Sequence, residues 1–136
     1  MPITVSKTSL VQLLGGNRPE VEIGSLPLEV RKHVGCSKDT VFLTTESARH
    51  IIGKHGNHVT LDELILLPLL LERGLWLSDR NKTHTVVCNQ IGPTRFKAVV
   101  KVTVDRTRTY VVTMHRMAPR QTKSLLKRGS VLREAW

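Results

Sequence analysis

Three β-prone runs constrain this chain more than any other feature: Thr83 to Gln90, Phe96 to Val104 and Thr109 to His115, each dense in valine and threonine. Branching at Cβ disfavours helix and suits a pleated, half-buried surface, so each run reads as a strand. The breaks hold Gly92 and Pro93, then Asp105 to Arg108, residues that favour turns. Connections this short imply an antiparallel meander. In the middle run Ala98, Val100, Val102 and Val104 alternate with Lys97, Val99, Lys101 and Thr103, giving one apolar face and one face with two lysines. A tight turn at Arg106 and Thr107 sets Val100 opposite Thr113 and Ala98 opposite His115, on the valine face. A slip of one residue reverses that assignment.

Ahead of the strands, Ser47 to His58 packs three of the six histidines into twelve residues. Thr44 or Thr45 can cap a helix with Glu46 in its first turn. At about 100° per residue, Ala48, Ile51, Ile52 and His55 share one face, while His50 and Lys54 flank it beside Ser47. Gly56 and Asn57 stop the helix and leave His58 in a loop. Thr60 then caps a largely buried helix that carries the Leu64 to Leu71 run, is interrupted at Pro68 and ends at Gly74. Residues 1 to 24 read as short extended pieces and turns, and Pro27 to His33 as a turn or two of helix closed by Gly35. Leu75 to Ser78 reads as a short strand. Gln121 to Lys127 reads as a short basic helix.

At 136 residues the chain suits one domain with a single core. Its most apolar window, Leu61 to Leu77, contains four charged residues and Pro68, which excludes a membrane span there. The N-terminus lacks a secretory pattern, and Cys36 with Cys88 form neither a metal repeat nor a disulfide framework. Both thiols are expected reduced and buried, in a cytoplasmic protein. With 21 basic against 11 acidic residues, the net charge of +10 points to a polyanionic partner such as RNA or DNA.

Metal-free RNA cleavage uses the 2′-hydroxyl as nucleophile and needs a base, an acid and cations or hydroxyls around the phosphate. The chain offers His50, Lys54 and His55 on one helix, and Thr113, His115 and Arg116 at the end of the last strand. A zinc site drawn from His50, His55, His58, Cys36 or His33 is disfavoured, since His50 and His55 point about 140° apart on a helix and no metal-binding motif is present. Plain nucleic-acid binding through backbone phosphates is the alternative. Its cations would come from Lys97, Lys101, Arg106, Arg108, Arg120 and Lys123, joined by Arg116, Lys127 and Arg128. With aromatic residues at only 4%, a base-stacking surface is not expected.

The pattern TVFLTTESARHIIGKHG, followed by a Thr-x-Asp-Glu-Leu helix start and strands ending YVVTMHR, resembles the phage-associated barnase/EndoU/colicin/RelE-like (BECR-fold) nucleases from about Val21 to Arg128. The resemblance implies an α+β fold with N-terminal helices packed on a four-stranded antiparallel β-sheet and the active site between helix and sheet. It also implies metal-independent ribonuclease activity with no cofactor, in toxins and phage proteins. The family's His-Lys-His helix pattern falls on His50, Lys54 and His55, and its strand hydroxyl on Thr113. Lys101, His115 and Arg116 are added because the phosphate needs nearby cations. The expectation is thus a single domain over residues 1–136, residues 1–40 being an N-terminal extension packed on the core. It would cleave RNA, tRNA among the candidate substrates, or bind RNA or DNA without cleaving it. A toxin of this kind would need an acidic immunity or antitoxin protein to complement its charge.

Overall fold

The computed structural model describes residues 5–53 and 59–135. In chain order the elements are α1 (Lys7–Leu14), β1 (Glu20–Ser25), α2 (Leu28–Val34), β2 (Thr40–Thr44), α3 (Thr45–Gly53), α4 (Leu61–Leu64) and α5 (Leu67–Arg73). They continue with β3 (Leu75–Ser78), β4 (His84–Ile91), β5 (Thr94–Val102), β6 (Thr109–Arg116), α6 (Pro119–Arg128) and β7 (Val131–Arg133). One seven-stranded mixed sheet runs β1-β2-β6-β5-β4-β3-β7, with β2 parallel to β6 and the other neighbours antiparallel.

This corrects the expected four-stranded antiparallel sheet with N-terminal helices. The meander β4-β5-β6 is present, but β3 and β7 extend one side and β1 and β2 the other, while helices are interleaved along the chain. The added strands are three to six residues long, and two of the joints that add them, β2 to β6 and β7 to β3, link segments more than fifty residues apart, so local pattern alone does not complete the sheet. The N-terminal region also differs from the expected extended pieces. Ser6 accepts a hydrogen bond from the Ser9 N–H at 3.0 Å and caps α1, which buries Leu10 and Leu13.

The second helical region divides in two. Thr60 and Glu63 form a reciprocal capping box that starts α4, and Pro68 sits in the first turn of α5, where its missing N–H costs nothing. Leu67, Leu70 and Leu71 of α5 are fully buried, and the helix touches both β1 and β4. Because those strands lie four places apart in the sheet, the sheet must curl around α5. Trp76, also fully buried, donates its indole N–H to Leu71 O at 3.0 Å and ties β3 to the same helix.

The faces of the central strands follow from their register. Ala98 pairs with Val87 and Met114, and Val100 with Thr85 and Val111, all buried against the helices. The opposite, outer face carries Lys97 paired with Cys88 and His115, Val99 with Val86 and Thr113, and Lys101 with His84 and Tyr110. Thus Thr113 and His115 lie on the lysine face, not the valine face. The hairpin closes a little earlier than Arg106–Thr107, and β6 carries an extra residue where Val100 pairs Val111 but Val99 pairs Thr113. That bulge at Val112 supplies the one-residue slip.

Close approach of backbone to core explains Gly74, which follows α5. A Cβ there would stand 2.5 Å from Leu70 O, and a Val87 methyl would be closer still. Gly74→Ala is expected to destabilise the fold by about 1–3 kcal/mol, lowering the melting temperature by roughly 4–12 °C. Thermal unfolding monitored by circular dichroism tests this, and an unchanged midpoint would contradict the packing described.

Candidate active cleft

β2 ends at Thr44, and α3 begins at the next residue, with Thr44 Oγ1 accepting the Ser47 N–H at 3.2 Å. α3 buries Ala48 and Ile51 in the core and runs beside β6. Its first turn and the outer face of the sheet therefore border one depression of about 570 Å³. Glu46 and Ser47 of α3 line one side, and Lys101, Tyr110 and Val112 line the other. His50 is exposed and lies three residues beyond Ser47 on α3, outside the lining of the depression. Thr113 and His115 continue the outer face along β6, half-buried.

Tyr110 is held by its neighbours. Its ring centroid lies 6.0 Å from that of Phe42, and the Arg108 guanidinium sits 4.1 Å above the Phe42 ring and 5.3 Å from that of Tyr110. Arg108 also forms an ion pair with Glu20, so its charge is already shared. Lys101 is exposed on the same face, with His84 directly opposite. His84 Nδ1 is buried and without a hydrogen-bond partner among the described residues.

The remaining residues singled out from sequence occupy varied settings. Lys54 and His55, with His58, lie outside the described residues. Arg116 pairs across the ladder with Phe96 and donates to both carboxylate oxygens of Glu63, at 2.8 and 2.5 Å. That contact holds the Glu63 carboxyl below its usual range and fastens β6 to the start of α4. Arg106 has a left-handed backbone, φ 61°, and donates to Val34 O at 2.8 Å, so it ties the β5–β6 hairpin to α2. Arg120 and Lys123 are exposed on α6, and Lys97 is half-buried beneath it. Among the described residues no group of three or more His, Cys, Asp or Glu side chains could hold a metal ion. Cys36 contacts Thr109 Oγ1 at 3.6 Å, and burial raises the Cys88 thiol, so neither is poised as a nucleophile.

Local sequence pattern does not single out Glu46, Tyr110 or His84 as site residues, and Glu46 reads only as a first-turn acid. Tyr110 and His84 become candidates only once the strand register places them opposite Lys101. No helix among the described residues is long and apolar enough to cross a membrane.

Burial, reinforced by the Lys97 charge opposite, pushes the His115 imidazole below its ordinary value of 6.5. As pH falls through the ordinary value, the unfolded chain takes up the proton before the native state does. The fold is therefore expected to lose stability from there downward until native His115 also titrates, with no contribution at higher pH. His115 ring resonances should give a midpoint below 6.5, raised part of the way by Lys97→Met; a wild-type midpoint at or above 6.5 would contradict the assignment. Compared with protein-family models, curated protein sequences and solved structures, the chain matches none of them.

Proposed function

We propose that this protein is a metal-independent endoribonuclease that binds RNA across the outer face of its sheet and cleaves it at the cleft between α3 and β6. One observation carries the reading: α3 and the outer face of β5–β6 border a single depression, with Lys101 and Tyr110 across from Ser47. His50 follows along the helix, and Thr113 and His115 follow along the strand. Those side chains are the kinds that 2′-hydroxyl attack requires. An imidazole that stays neutral near pH 7 accepts a proton, lysine offsets phosphate charge, and hydroxyl groups hydrogen-bond to phosphate oxygens. The sequence resemblance to phage-associated ribonucleases and toxins, and the +10 charge, support the same reading. Its setting is the cytoplasm, with RNA as substrate and an acidic immunity or antitoxin protein as natural counterpart.

A second reading, RNA or DNA binding without cleavage, is favoured by α6. That helix has four basic residues in ten, Arg120, Lys123, Lys127 and Arg128, and no buried residue among its ten. Such a surface binds phosphates without chemistry.

Incubation with tRNA and total RNA in excess EDTA separates the two. Cleavage to 2′,3′-cyclic phosphate ends is expected, reduced about 10²–10⁴-fold by His115→Ala if that imidazole transfers a proton. Intact RNA retarded in a gel, with affinity falling steeply as salt rises, would favour the binder. Cleavage abolished by EDTA would sink the metal-free mechanism.

A further inference from the structure

A second concavity, of about 170 Å³, lies between α6 and the β3–β4–β5 part of the outer face. Leu77, Val86 and Val99 give it an apolar floor. Three cations line it from three separate places in the chain: Arg80 just after β3, Lys97 on β5 and Arg128 in the last turn of α6. Asp79 also lines it, and the Asn81 N–H lies 3.4 Å from that carboxylate. Among the described residues no ion pair engages any of the three cations.

Local chemistry at the end of α6 creates this juxtaposition. Gly129 allows the helix to end directly on β3, since a Cβ there would stand 2.5 Å from Ser78 O. Ser130 then donates its N–H to Ser78 Oγ at 2.8 Å, and Ser78 returns its own N–H to Ser130 O at 2.9 Å. This clamp fixes the last turn of α6, and Arg128 with it, over β3. Like charges gathered around an apolar floor repel one another, and an anion shared among them relieves that repulsion. Two guanidinium forks and an ammonium suit a phosphoryl group, whose oxygens accept several charge-assisted hydrogen bonds at once.

We propose that this cavity is a phosphate subsite, in which Arg80, Lys97 and Arg128 hold one phosphoryl group of an RNA strand. The identity of the strand rests on the ribonuclease reading above; binding of the phosphoryl group itself does not. Lys97 links the two regions, because it lines this cavity and stands opposite His115 in the β5–β6 ladder. A strand seated here would continue along the outer face toward the α3 cleft.

The test is an NMR titration of the full chain with inorganic phosphate and, separately, with a 5′-phosphorylated, 2′-O-methylated tetranucleotide that cannot be cleaved. Saturable shifts at the amides of Ser78, Asp79 and Gly129 are expected with both ligands, the oligonucleotide binding more tightly. The double variant Arg80→Gln/Arg128→Gln, at two exposed positions, should weaken both by about tenfold or more while leaving the melting temperature unchanged. No saturable shift with either ligand, or undiminished affinity in the double variant, would overturn the subsite. Equal affinity for phosphate and oligonucleotide would overturn the strand assignment and leave a free-phosphate site. Retained RNA cleavage with no shifts would reject the subsite alone, whereas phosphate binding with no RNA cleavage would reject the ribonuclease reading alone.

Discussion

Burial of α5 within the curl of the sheet is the constraint on which the other elements depend. Leu67, Leu70 and Leu71 lose all contact with water, each contributing about 1.5–3 kcal/mol of apolar burial as an upper estimate. A seven-residue helix cannot supply that environment for itself, so β1, β4 and the β3 tryptophan close around it. The remaining helices on the inner face complete the cover, and the inner surface of β4, β5 and β6 is dry, made mostly of valine with Ala98, Phe96 and Met114 and the buried threonines Thr85 and Thr109. Chemistry that needs water, charge and a polyanion is therefore confined to the outer face.

The outer face is organised by two local devices. The Val112 bulge shifts the end of β6 by one position, turning Thr113 and His115 outward into the rows of Val99 and Lys97. The parallel joint between β2 and β6 has only two registered pairs, Val41 with Thr109 and Phe42 with Tyr110. Arg108 reinforces this seam through two aromatic faces and the Glu20 carboxylate. Because β2 ends at Thr44, α3 can start where a longer β2 would have continued, and the cleft opens between helix and strand.

These devices also explain what could be read from the residues alone. The meander was legible because three valine- and threonine-rich runs separated by turn residues leave few other arrangements, and the caps at Thr60 and Gly35 follow from local chemistry. β7 at one edge and the β1–β2 pair at the other were not legible as members of one sheet, since they join it only where Val131–Arg133 meets β3 and Val41–Phe42 meets β6, more than fifty residues away in sequence. α1 was hidden because its cap, Ser6, lies in a stretch of loose alternation that reads equally well as extended chain. At the cleft, Lys97 and Lys101 were assigned to the polar face by simple alternation. Thr113 and His115 were not, because alternation fails at a bulge whose presence local residues do not announce. Arg116 looked like a phosphate ligand until Glu63, 53 positions earlier, was seen to hold it.

The spacing of the outer-face cations bears on what kind of ligand fits. Lys97 and Lys101 lie four residues apart on β5, about 13 Å at the usual rise of a strand, whereas phosphates along one strand of a duplex recur about every 3.4 Å of axis. With side chains standing roughly perpendicular to the sheet, the two ammonium groups are spaced for an extended polyanion rather than for one small anion. The two ends also differ in their chemistry. Near Lys101 the surface has hydroxyls from Ser47 and Tyr110 and borders the histidine helix, while near Lys97 it has two arginines over an apolar floor. Guanidinium groups keep their protons at neutral pH and so can hold a phosphate but are poor at exchanging a proton with it. On the ribonuclease reading proposed above, proton transfer falls to the imidazoles, His50 on α3 or His115 opposite Lys97, and anchorage to the arginines beside α6. On that reading, a strand that spans the face is held by guanidinium groups while its reacting phosphate meets an imidazole.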